Sequence, residues 1–201
     1  MIEEYKKRLA KEIAQRDLLK EHIIKEKANL EKYEEDLKTG TKARAIVQTV
    51  AEQVQKKLEY HISNLVSMAL ASVWEDPYKF SINFVQRRNK TECDLIFSKN
   101  GKETDDIVNS GGGGVCDIVS NIALPVALWS IKKSRNVMIW DEPTKFLHNP
   151  TYQEKASEMI KKLSEELRLQ IIMVTDQQNL LNAADKVITV EQKNGESKVS
   201  P

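Results

Sequence analysis

Several things are scarce in this chain, and each shortage closes a class of function. Of its 201 residues only two are cysteine, Cys93 and Cys116, far apart and matching no metal-ligand spacing. Aromatic residues make up 6% against 30% charged, a balance that favours long solvated helices joined to a modest core. The net charge is +1, so no global field draws the molecule toward nucleic acid, and only a local basic face could do so. No apolar run reaches transmembrane length, and the start MIEEYKKRLA is charged from its third residue, unlike a secretory leader or transit peptide. Few thiols, no leader and no span point to a reducing, soluble compartment, with the cytoplasm as default and no membrane partner. No repeat of solenoid period is present.

A P-loop is missing too. The pattern GxxxxGK[ST] needs a lysine and a hydroxyl after its second glycine, whereas Gly114 is followed by Val115-Cys116. Gly101-Lys102-Glu103-Thr104 lacks both the upstream glycine and the adjacent hydroxyl.

What is there begins with a heptad. Ile2, Tyr5, Leu9, Leu19, Ile23, Leu30, Tyr33 and Leu37 fall on alternating steps of three and four, interrupted by Glu12, Arg16 and Glu26. This predicts one arm of a coiled coil, or else a lone solvated helix. Gly40, in Lys38-Thr39-Gly40-Thr41, is a candidate helix stop, and a second long helix is predicted from about Lys42 to Trp74. After Glu75-Asp76-Pro77 the period changes to two. Phe80, Ile82, Phe84 and Cys93, Leu95, Phe97 alternate with polar residues, predicting a β-hairpin buried on one face, and Asn100-Gly101 marks the next turn. The hairpin tip Arg87-Arg88-Asn89-Lys90 is basic, either merely solvated or touching a DNA backbone.

From there strands and helices alternate: helix 115–130, strand 136–140, helix 151–167, strand 170–175, a short helix and strand 186–191. That order predicts parallel pairing in an α/β layer. Pro125 should kink the first of these helices. The ending KNGESKVSP reads as a polar tail. Three segments result: a helical coiled-coil arm and its continuation at 1–74, an α/β lobe at 75–191, and the tail at 192–201. His22 and His61 read as surface or packing residues, and Trp129 and Trp140 as core.

Two stretches carry chemistry. In VMIWDEPTKFL a strand ends in Asp141-Glu142, where ligands collect at the carboxyl ends of parallel strands. Asp141 suits Mg²⁺, a hard cation that takes one or two carboxylates plus phosphate oxygens, and Glu142 suits a general base facing water. The bland alternative is a pair of acids helping a helix dipole. In NSGGGGVCDIVSN four of the seven glycines stand directly before an apolar helical pattern. Glycines allow close backbone approach, and N–H groups at a helix start face anions, with Ser110 adding a hydroxyl; the alternative is a flexible linker.

A glycine run, then paired acids, without a P-loop, resembles the carboxyl-terminal lobe of an ABC-type ATPase of the SMC and SbcC class, most closely in phage and bacterial recombination-nuclease ATPases. Ser110-Gly111-Gly112 matches the signature loop, and Val137 to Glu142 matches a Walker B strand with its catalytic glutamate. Pro143-Thr144 and Leu147 match the D-loop, while Ile171 to Thr175 and Ala184 to Ile188 match the last strand pair. The resemblance implies an ABC-ATPase-like lobe, half of a P-loop NTPase head, with a mostly parallel sheet and a β-hairpin after a coiled-coil arm. It implies that Ser110, Gly111, Gly112 and Gly113 cap ATP held in trans, that Asp141 supports Mg²⁺ through water, and that Glu142 polarises the hydrolytic water. The partners it implies are an amino-terminal lobe bearing Walker A, a second head, an SbcD-type nuclease and DNA, in repair or recombination. The chain alone would then be inactive, hydrolysing ATP only with the Walker A lobe. Three positions depart from the family. Gly113 replaces a Gln or Glu, His148 replaces the D-loop aspartate, and Asp176 replaces the H-loop histidine, so a non-catalytic dimerisation or DNA-tethering module with a degenerate nucleotide face is the rival.

Overall fold

A computed structural model describes residues 1–88, 90–193 and 195–200. The chain divides into two compact units, residues 1–54 and 55–201.

One helix, α1 (Ile2–Val73), accounts for all of the first unit's regular structure and enters the second. The helix stop expected at Gly40 is overturned, because the helix runs through it unbroken. A lone glycine costs a helix only about 1 kcal/mol, no proline follows, and the Thr41 hydroxyl returns to the Leu37 carbonyl at 2.8 Å. In the first unit the heptad residues Ile2, Tyr5, Leu9, Leu19, Ile23, Leu30, Tyr33 and Leu37 are all exposed.

The second unit holds the core. Its strands β1 (Lys79–Arg87), β2 (Lys90–Lys99) and β3 (Lys102–Thr104) form an antiparallel sheet in that order. The predicted hairpin is present, with Phe80 opposite Phe97 and Ile82 opposite Leu95. Burial, however, fades toward the tip: Phe80, Ile82 and Phe97 are buried, whereas Leu95 and Cys93 are exposed. Asn100 and Gly101, both at positive φ, turn β2 into β3 as a two-residue hairpin loop requires. Asn89 of the basic tip lies outside the described residues; Arg87 beside it is held bidentately by Asp94 at 2.6 and 2.7 Å.

The outer edge of β1 is closed by side chains rather than by a strand. Glu59, Ser63 and Ser67, one turn apart on α1, accept from the backbone N–H groups of Phe84, Ile82 and Phe80 at 2.9, 3.1 and 3.0 Å. Four helix residues rise about 6 Å and two strand residues about 6.7 Å, so the periods match closely enough for three successive bonds.

Short helix α2 (Ile107–Gly111) follows, where a loop was expected, capped by Asp106, which accepts from the Asn109 N–H. A helical stretch then runs as α3 (Gly113–Asp117), a π turn (Ile118–Ala123) and α4 (Leu124–Ile131). The π turn lies just before Pro125, the distortion that a proline without N–H imposes. Residues 113–131 have the length and mean hydropathy, 1.6, of a membrane span. Yet Val115, Ile118, Val119, Ile122, Ala123, Val126 and Ala127 are buried against the rest of the unit, as befits a central core helix.

Strand β4 (Val137–Asp141) pairs in parallel with β5 (Gln170–Val174) across α5 (Pro150–Leu167). Asn149 caps α5 through its side chain, with Pro150 opening the first turn. Among the described residues this parallel sheet stops at two strands, a correction to the larger one expected. After α6 (Gln178–Leu181), β6 (Thr189–Lys193) pairs antiparallel with β7 (Glu196–Ser200), so the expected last strand does not join β5, and the tail supplies a strand instead. Asn194 and Pro201 of that tail lie outside the described residues. Trp129 and Trp140 are buried as predicted, and His61 meets the Ser130 hydroxyl at 2.9 Å in a packing role.

Candidate functional site

Asp141 is the last residue of β4 and is exposed. Glu142, half-buried, follows at φ 47°. Left-handed backbone costs a non-glycine residue about 1–2 kcal/mol, so the neighbourhood must over-determine it. It does so through an unusually dense set of bonds. The Glu142 N–H donates to the Val174 carbonyl at 2.9 Å, Lys145 N–H to the Glu142 carbonyl at 3.2 Å, and Leu147 N–H to the Thr144 carbonyl at 2.9 Å. Thr144, fully buried, donates to Gln177 Oε1 at 2.8 Å, while Gln177 Nε2 donates back to the Thr144 carbonyl at 2.7 Å. Gln153 Nε2 donates to the Leu147 carbonyl at 2.7 Å, and Gln153 Oε1 accepts from Asn179 Nδ2 at 2.8 Å.

Glu142, His148 and Asp176 line one open cavity of about 480 Å³ together with Lys145, Phe146, Gln153 and Gln177. His148 and Asp176, which stand where the resemblance implies an acid and a histidine, therefore share one wall with Glu142. An imidazole is present there, at 148 rather than 176. Among the described residues no three His, Cys, Asp or Glu side chains cluster as a metal cage. Exposed Asp141 at a strand end is compatible with the other mode, in which Mg²⁺ takes one or two carboxylates and completes its shell with phosphate and water.

The glycine run straddles two helices. Gly112, at φ 80°, breaks the chain between α2 and α3, a conformation suited to glycine. Ser110 ends up in α2, exposed, its hydroxyl 3.2 Å from that of Thr104 and its carbonyl accepting from Tyr78 at 2.7 Å. Gly111 packs so close to Ile107 that a Cβ would lie 2.6 Å from it. Gly113 and Gly114 face the turn after the acids. A Cβ on Gly113 would meet Phe146 Cβ at 2.6 Å, and one on Gly114 would meet Leu147 at 2.9 Å. Glycine is thus sterically required at position 113.

Asp117, Asn121, Gln153 and Gln177 were not singled out from sequence. One signal existed: Asp117 is the only charged residue between Gly113 and Ile131. It is buried, and burial pushes its carboxyl above the usual range, while the Phe146 N–H bond and the charge of His148 pull the other way. Burial and neighbouring Asp117 also push the Cys116 thiol up, which disfavours a reactive thiolate.

Solved structures share this fold. An SMC head from work on ATP-driven dimerisation and DNA-stimulated activation of SMC ATPases superposes with a TM-score of 0.55 at 20% identity, over 74% of this chain and 87% of that one. The fold is that of an SMC head domain. A head bound to the C-winged helix domain of ScpA gives 0.55 at 18% identity, over 76% of this chain and 44% of the other. A head with an extended coiled coil from Pyrococcus furiosus, bound to the C-terminal domain of ScpA, gives 0.54 at 19%, over 78% and 40%. The chain thus spans most of the first head and less than half of the other two. No protein-family model matches, and comparison with curated proteins gives no match.

Proposed function

We propose that this chain is the signature-loop and Walker B part of an SMC-like ATPase head, completed by a lobe that carries Walker A. The observation that carries the reading is the strained Glu142, held beside exposed Asp141 at the carboxyl end of a parallel strand, with the glycine run packed on the turn that follows. Backbone strain concentrates where a side chain must be aimed. In this reading Asp141 takes Mg²⁺ with water and phosphate oxygens, and Glu142 orients the attacking water. Ser110 and Gly111 to Gly113 cap ATP bound to a second head. One of the structures that share the fold comes from work on ATP-driven dimerisation and DNA-stimulated activation of SMC ATPases, which supports ATP, a second head and DNA as partners. An SbcD-type nuclease, a role in repair or recombination, and a cytoplasmic setting complete the reading.

The uncovered side of the parallel sheet supports a missing lobe. Ile139, Ile172 and Val174 are 74%, 47% and 59% exposed, whereas parallel sheets are normally covered on both faces.

The test is to mix the purified chain with a Walker A lobe from the same genome and Mg-ATP. Association that requires ATP and is lost in Ser110→Arg, with hydrolysis lost in Glu142→Gln, is the expected result. Appreciable ATPase activity from this chain alone, abolished by Glu142→Gln, would refute it. His148 and Asp176 in place of the family's acid and histidine favour the non-catalytic rival, which predicts association indifferent to ATP and Mg²⁺.

A further inference from the structure

The acid turn is tied to the glycine-run helix by two side chains outside both motifs. Asp117 Oδ2 accepts from the Phe146 N–H at 2.6 Å. Asn121 Nδ2 donates to the Pro143 carbonyl at 3.0 Å and to Asp117 Oδ1 at 3.3 Å. Pro143 is the residue after Glu142, and Phe146 is the residue against which Gly113 packs. Both residues belong to the same helical stretch, Asp117 at the end of α3 and Asn121 inside the π turn. A π turn adds a residue to the local ring and shifts which side chains face a neighbour. Asn121 therefore faces the acid turn from within the distortion that precedes Pro125.

We propose that Asp117 and Asn121 are positioning residues for Glu142, a latch that delivers displacement of the glycine run to the acid turn. Two kinds of contact act together. Gly113 and Gly114 leave no room for Phe146 and Leu147 to lag behind, and the hydrogen bonds prevent the turn from lifting away. A ligand that shifts Gly112 to Gly114 thus moves Pro143 and Phe146, and with them the turn that begins at Glu142. The role of Glu142 rests on the reading above, but the mechanical link is a property of this chain without nucleotide.

The experiment is amide NMR and hydrogen exchange on the full chain. Asp117→Ala removes both acceptors, Asp117→Asn keeps one oxygen for the Phe146 N–H, and Asn121→Ala frees the Pro143 carbonyl while sparing the Gly113 contact. Expected are shifted Glu142 and Phe146 amides in all three, with Phe146 exchange faster by about tenfold in Asp117→Ala, the scale of one lost hydrogen bond. Asp117→Asn should lie between, and the Phe80 and Ile82 amides should keep their wild-type rates. Gly112→Ala, which strains the run at φ 80°, should shift the Glu142 amide in the wild-type background and much less in Asn121→Ala. Unchanged Glu142 and Phe146 amides, or equal acceleration at Phe80 and Ile82, would overturn the latch and leave Asp117 a stability residue. Because no nucleotide is involved, that failure leaves the ATPase reading standing. Failed association with a Walker A lobe would sink the ATPase reading whatever the amides report.

Discussion

Glu142 occupies backbone that glycine would adopt at lower cost. Replacing it with glycine should therefore stabilise the chain by about 1 kcal/mol in urea unfolding while removing the carboxylate; a destabilised variant would show that the side chain itself holds the turn. Asp117 has the opposite character, a buried charge kept by its partners. Its carboxyl is raised above the ordinary range, first by burial, against the Phe146 N–H bond and the charge of His148. The folded state then binds this proton more tightly than the unfolded state. Its contribution to stability is fully present below the ordinary carboxylate value and is lost as pH rises through the raised one. Carboxyl NMR titration should place its midpoint above the ordinary range, and a midpoint below would mean that the bond outweighs burial. That Asp141 ends a strand and that the glycine run leads into a helix were legible in sequence, because both signals are local to a few neighbours. Asp117 and Gln177 were not, since each matters through a residue 29 or 33 positions away.

Elements whose signal is a period were read well: the hairpin, α5 and the β4–β5 parallel pair match the alternation and helix lengths in the sequence. Where one residue had to outvote its surroundings, the reading failed. Gly40 does not end α1, because its propensity penalty is small against a helix that continues on both sides. The Glu59–Ser63–Ser67 ladder is invisible to patterning, since three polar residues a turn apart look like an ordinary solvated stripe. It keeps the outer edge of β1 from serving as a template for other strands. Ser63→Ala should leave the Ile82 N–H without its acceptor and cost about 1–3 kcal/mol. Hydrogen exchange should accelerate at Ile82 while amides of β4 and β5 keep their rates; unchanged exchange at Ile82 would mean that water replaces the hydroxyl freely.

For the molecule as a whole, the telling feature is a two-stranded parallel sheet with Ile139, Ile172 and Val174 uncovered. An apolar face of this kind marks an interaction surface. Ile139→Asp should change the stability of the isolated chain by no more than about 0.5 kcal/mol, yet abolish association with a Walker A lobe in sedimentation. A large loss of stability would instead show that Ile139 packs within this chain. Residue order sufficed for everything that rests on near neighbours: the helical character of the first 74 residues, the alternation of strands and helices, the absent P-loop, and the acids and glycines as candidate chemistry. Folding had to supply the rest. The left-handed Glu142, the packing of Phe146 on Gly113, the Asp117–Asn121 latch and the sheet that stops at two strands all depend on segments far apart in sequence meeting at a few tenths of an ångström, and no periodicity encodes such distances.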